Sequence, residues 1–113
     1  MDLSKGDKKI AREIIDRGLI VEFEEGMEKF DQIMDSWRAG KTETKDAYYD
    51  LFQSVKDFDK NISYRYDGLS GSRYFQTVVD LLVDKKIPES EINRFRPEVQ
   101  ERYYHLIKPF GED

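Results

Sequence analysis

Seven apolar side chains between Leu19 and Trp37 recur at steps of three and four: Leu19, Phe23, Met27, Phe30, Ile33, Met34 and Trp37. At about 100° per residue they fall within an arc of roughly 120°, the width of the stripe by which a helix meets a core. This one pattern sets the fold class. Similar periodicity continues down the chain, and no second strand-like segment exists to form a sheet. The sequence therefore predicts an all-α protein, an irregular bundle of five to six helices in a single domain, 1–113, with an ordered core of roughly 5–108.

The stripe lies within a longer helical segment, Lys5 to Arg38. Ile10, Ile14 and Val21 point roughly away from it, and only Ile15 matches. One straight helix of this length would measure about 51 Å. A globule of this size has a diameter of only about 35 Å. The expectation is a break at Gly18, acting as a C-terminal cap; otherwise the helix protrudes and pairs with another chain. A short strand over 18–23 is the lesser alternative, and it lacks a partner.

Ala39-Gly40 closes this segment. Thr42 or Thr44 is placed to cap a second helix carrying Ala47, Tyr48, Leu51, Phe52, Val55, Phe58 and Ile62, which stops at Asp67-Gly68. Ser70 or Ser72 is placed to cap a third, with Tyr74, Phe75, Val78, Leu81 and Leu82, running to about Lys85. A short helix follows with Ile92 and Phe95 inward. Pro97 suits the first position of a last helix bearing Val99, Tyr103 and Leu106, which Pro109 and Gly111 are expected to end before a frayed tail.

Composition narrows the function. The 113 residues contain no cysteine, which excludes disulfides and thiolate metal sites and fits a reducing compartment. The polar N-terminus lacks a signal-like apolar run, and no apolar run is longer than that at Leu19-Ile20-Val21. A cytoplasmic, membrane-free protein is expected. Charged residues are 38% of the chain, a level at which disorder competes, but 13% aromatics are costly to leave in water and favour order. The net charge of −5 equals the excess within Glu22 to Asp35, where six acids face the single base Lys29. A generally basic surface for nucleic acid is absent.

Catalytic and metal motifs fail residue by residue. A bundle carboxylate site needs Glu-x-x-His, whereas Arg102 stands three before the only histidine, His105. The acids Glu24, Glu25, Glu28, Asp31 and Asp35 lie off the apolar stripe and read as a solvated face. Asp57-Phe58-Asp59-Lys60-Asn61 begins like a calcium loop, but Ile62 replaces the glycine and Gly68 the closing glutamate. No nucleophile elbow precedes a serine. No catalytic residue, metal or cofactor is expected, and the chain is read as non-enzymatic.

Two surface features remain. Between Tyr64 and Tyr74, Ser70, Gly71, Ser72 and Arg73 stand before a helix start, with Arg65 and Tyr66 upstream; backbone N–H groups and guanidiniums there suit an anion or ligand. The tyrosine pairs Tyr48-Tyr49 and Tyr103-Tyr104 place neighbouring rings about 100° apart, so one of each turns outward or into an interface. The sequence thus points to protein–protein contact, including self-association as a homodimer. The candidate residues are Tyr49, Arg65, Tyr66, Arg73 and Tyr104, with an anion- or ligand-binding regulator using Ser70, Gly71, Ser72 and Arg73 of the 65–74 turn as the rival, and nucleic-acid binding or an unrecognised enzyme as lesser alternatives.

Overall fold

The computed structural model describes the backbone of residues 3–111 and the side chains of 3–107. The protein is all-α, with no strand among the described residues. Four α-helices, α1 (Lys5–Arg38), α2 (Thr44–Tyr66), α3 (Tyr74–Val83) and α4 (Pro97–Gly111), are joined by two 3-10 helices, Gly71–Arg73 and Glu89–Arg94. The residues group into two compact units: one holds the described residues up to Val21 and those from Gly68 onward, the other Glu22–Asp67.

Helix α1 begins with a capping box. Ser4 Oγ accepts the Asp7 N–H at 3.1 Å, and the Asp7 carboxylate accepts from Ser4 N at 3.0 Å and Ser4 Oγ at 2.8 Å. Asp7 is 2% exposed and also receives Arg96, at 2.7 Å from Nη2 and 3.0 Å from Nε. The bonds from Arg96, then those from Ser4, hold its carboxyl below the ordinary aspartate value against the opposing cost of burial. An aspartate in the first turn of the predicted helix is thus a buried tie between the start of α1 and the start of α4.

The expected break at Gly18 does not occur: α1 is continuous over 34 residues. Gly18 is buried in mid-helix beside Leu81, and a Cβ there would stand 2.8 and 3.0 Å from the two Leu81 methyl carbons. Its missing side chain lets α3 approach α1, so glycine here marks close packing and not a stop. The strand alternative for this stretch falls with the break.

The first unit builds its core from Leu3, Ala11, Ile14 and Ile15 of the α1 side, Phe75, Val78 and Leu81 of α3, Ile92 and Phe95, and Val99 and Tyr103 of α4, all buried. Tyr103 stacks on Phe75 at 4.3 Å and meets Phe95 at 5.0 Å. Its hydroxyl finds no hydrogen-bond partner among the described residues, and burial pushes its pKa upward, with Asp7 adding to the effect. Around this core, Arg17 reaches Glu91 at 2.7 Å and Arg94 bridges Glu13 and Glu91.

Several ends differ from expectation. The residue before α2 is Glu43, and neither threonine caps; Thr44 Oγ1 instead accepts from Trp37 Nε1 at 3.0 Å. Arg73 precedes α3, because a 3-10 turn intervenes, and neither serine caps it. Helix α3 stops at Val83, where Lys85 takes the left-handed conformation at φ 59° and Lys86 N bonds back to Leu81 O. Gly40 and Gly68 close α1 and α2 at φ 74° and 67°, as read from sequence. Helix α4 continues past Pro109 to Gly111. The expected frayed tail, 112–113, lies outside the described residues.

Candidate functional site

The unit Glu22–Asp67 is a helical hairpin, the second half of α1 against α2. Trp37 and Thr44 meet at its closed end. At the other, the carboxylate of Glu22 accepts from Arg65 Nη1 at 3.2 Å and from the hydroxyl of Tyr66. Partial burial, then this bond to Glu22, raises the Tyr66 pKa, so its phenol stays protonated. Midway, the Phe58 ring lies against Gly26, in contact with Phe23 at 5.4 Å and Phe30 at 5.7 Å. A glycine at 26 leaves the hollow that this ring occupies.

Only Gly26 and Ala47 are buried in the hairpin. The stripes predicted to face a core are only half covered. Phe30, Ile33, Met34, Leu51, Phe58 and Ile62 are half-buried, and the rest stay open. Phe23 is 47% exposed, Met27 65%, Tyr48 60%, Phe52 51% and Val55 43%. The cause is geometric. Two helices bury only the strip where they touch, and these stripes are wider than that strip.

The open residues share one side of the hairpin. Measured at about 100° per residue from Gly26 and Ile33, which face α2, Phe23, Met34 and Met27 are rotated about 70–110° to one hand. Measured from Ala47 and Phe58, which face α1, Val55, Tyr48 and Phe52 are rotated about 70–130° to the same hand. In antiparallel helices the same hand is the same side. Lys29, Gln32, Ile33, Ser36, Thr42 and Asp50 line a hollow on the opposite side, consistent with this assignment. The open face is aromatic on α2, where Tyr48 and Phe52 are parallel at 6.4 Å.

Charge borders this face unequally. Beyond the apolar strip, α1 carries Asp31, Glu24 and Asp35, the last paired with Arg38 of the same flank at 3.0 Å, and α2 carries Lys45, Lys56 and Lys60. Lys56 Nζ hangs over the Phe52 ring at 5.4 Å. Asp59 is the one acid of α2 that falls within the strip itself. The hairpin has seven basic residues against twelve acidic, and thus carries the whole net charge of −5.

The residues singled out by sequence are dispersed. Arg65 and Tyr66 belong to the hairpin and are tied to Glu22. Tyr49 is exposed and meets Tyr48 edge-on at 5.1 Å. Ser70, Gly71, Ser72 and Arg73 belong to the other unit. Ser70 Oγ and Ser72 Oγ bond each other at 2.9 Å, Gly71 lies against the end of the Lys8 side chain, and the Arg73 carbonyl accepts from Thr77 Oγ1 at 3.0 Å. Tyr104 is half-buried and donates to Asn93 Oδ1 at 3.3 Å, while its neighbour Tyr103 is the buried member of the pair. His105 stands on an exposed stretch of α4 beside Glu98, Glu101 and Arg102.

The five acids Glu24, Glu25, Glu28, Asp31 and Asp35 are exposed. Among the described residues no cluster of His, Asp and Glu is arranged to hold a metal ion. No described helix is long and apolar enough to cross a membrane. Comparison with protein-family models, curated proteins and solved structures finds no match for this chain.

Proposed function

We propose that this chain is a non-enzymatic, cytoplasmic protein that acts through protein–protein contact, and that its contact surface is the open apolar face of the α1–α2 hairpin. One observation carries the reading: five large apolar side chains, on two helices, stand 43–65% exposed on one side of a hairpin. Scattered apolar residues are ordinary on a surface, but a contiguous patch is a recurrent mark of an interface. Aromatic and methionine side chains are the residue types that anchor such surfaces. The hairpin's negative charge argues against nucleic acid as the occupant.

The test is loss of contact on polar substitution. Phe52→Lys with Met27→Glu should leave the far-ultraviolet circular dichroism spectrum unchanged, because both side chains are half or more exposed. It should also abolish self-association and any retention of partner proteins by the immobilised chain. Equal retention by wild type and this variant would sink the reading.

A further inference from the structure

We infer that the occupant of the hairpin face is a second copy of the same chain, packed so that α1 of each copy lies opposite α2 of the other. This inference rests on the contact surface proposed above and adds the partner and its arrangement.

The border charges select the occupant. Contacts within the hairpin set the levels of its helices: Gly26 beside Phe58, Trp37 beside Thr44 and Glu22 beside Tyr66. At those levels Glu24 lies within about one helical turn of the height of Lys60, Asp31 of Lys56, and Asp35 of Lys45. Within one hairpin these residues lie on opposite outer flanks, too far apart to pair. A two-fold axis running along the hairpin keeps every height and brings α1 over α2 of the second copy. The acidic border of one copy then faces the lysine border of the other along both outer seams. These are the flanking positions at which helical bundles choose partner and orientation. Turning the second copy so that α1 faces α1 would oppose acid to acid and lysine to lysine. Asp35 is already held by Arg38, so the complementarity of the first arrangement rests on Glu24 with Lys60 and Asp31 with Lys56, the two levels at which the second arrangement sets like charges together.

Area is consistent with a pair. Phe, Tyr and similar side chains expose about 150–250 Å² when free. At the observed exposures Phe23, Met27, Tyr48, Phe52 and Val55 offer on the order of 500 Å² per copy. Two copies thus cover about 1,000 Å² from these side chains alone, the lower bound of a specific interface. The resulting four-helix bundle would bury the remainder of both stripes. The −5 on each hairpin opposes pairing over long range, so added salt should tighten the pair at first and then weaken the seams.

Sedimentation equilibrium of the full chain, up to about 200 μM, tests this with charge exchanges. Wild type should dimerise. Asp31→Lys and Lys56→Glu should each weaken the dimer roughly tenfold or more, because each places like charges on both seams. The two changes combined in one chain should restore it. Weakening by the singles without restoration by the combination would overturn the α1-on-α2 arrangement. A chain that stays monomeric, with Phe52→Lys having no effect on its mass, would overturn the dimer. If such a monomer still retains another protein through Phe52, the contact surface stands and its occupant is different; if it retains none, both fail. Circular dichroism of each variant separates lost pairing from lost folding.

Discussion

Substituting Gly18 with alanine tests whether α1 is continuous because α3 packs against its bare backbone. A Cβ at this position would lie 2.8 Å from Leu81 Cδ1 and 3.0 Å from Cδ2. Comfortable carbon contacts are about 3.5–4.0 Å, so the leucine would have to retreat by close to 1 Å. Leu81 has no exposure and is enclosed by the first unit's core, which leaves it little room. Helix propensity favours alanine by about 1 kcal/mol, and overpacking of this kind costs about 1–3 kcal/mol. The expected net effect is a loss of up to about 2 kcal/mol. Gly6→Ala in the same helix supplies the control: its Cβ would meet only Ser4 Oγ, at 3.8 Å, and should stabilise by a few tenths to about 1 kcal/mol. Urea unfolding followed by far-ultraviolet circular dichroism measures both. Fluorescence is the wrong probe, since the single tryptophan, Trp37, lies in the hairpin. The decisive measurement is the cycle with Leu81→Ala, which alone should cost about 3 kcal/mol. In that background the alanine at 18 fills vacated space, and only its propensity gain should remain, giving a coupling of about 1–3 kcal/mol. If Gly18→Ala costs the same with and without Leu81, the close-packing explanation is wrong and a cap-like role for the glycine returns.

Two further expectations follow from the first unit. Asp7→Asn should destabilise by about 2 kcal/mol, since it weakens both the capping box and the tie to the half-exposed Arg96. The Asp7 carboxyl is held below its unfolded value. Its contribution is therefore complete above about pH 4 and fades as pH falls through the lower, folded value. Wild type should lose stability on acidification through that window more steeply than the variant; parallel profiles would refute the assignment. Tyr103→Phe should raise stability by about 1 kcal/mol in the same urea assay, because it removes a buried hydroxyl without a partner and keeps both ring contacts. A loss of that size would mean that the hydroxyl is bonded in solution.

The helical class was readable because period-3.6 apolar spacing is a local property, and the glycine stops at 40 and 68 are local as well. The two departures have a common origin. A glycine with helical neighbours reads alike whether it ends a helix or admits another one, and only Leu81, 63 residues on, decides between them. Likewise the stripe Leu19–Trp37 declares an apolar face without saying how much of it a partner helix covers. Periodicity therefore assigns the open residues Phe23, Met27 and Phe52 to a core, while the arithmetic of adjacent rings favours Tyr49 and Tyr104 for contact. The capping box Ser4-x-x-Asp7 was present as a spacing signal, and its extension to Arg96 required the fold. Serines 70 and 72 had the composition of a helix cap, yet the intervening 3-10 turn directs their hydroxyls to each other.

The hairpin has for its interior a glycine, an alanine and the rims of half-covered rings. So thin a seam adds little packing, the main source of helical stability in proteins. Opening of α2 is then a low-energy excursion, and a molecule seated on the apolar side withdraws it by mass action. Recognition and local opening are linked there: an occupant makes the excursions of α2 rarer without altering the folded hairpin from which they start.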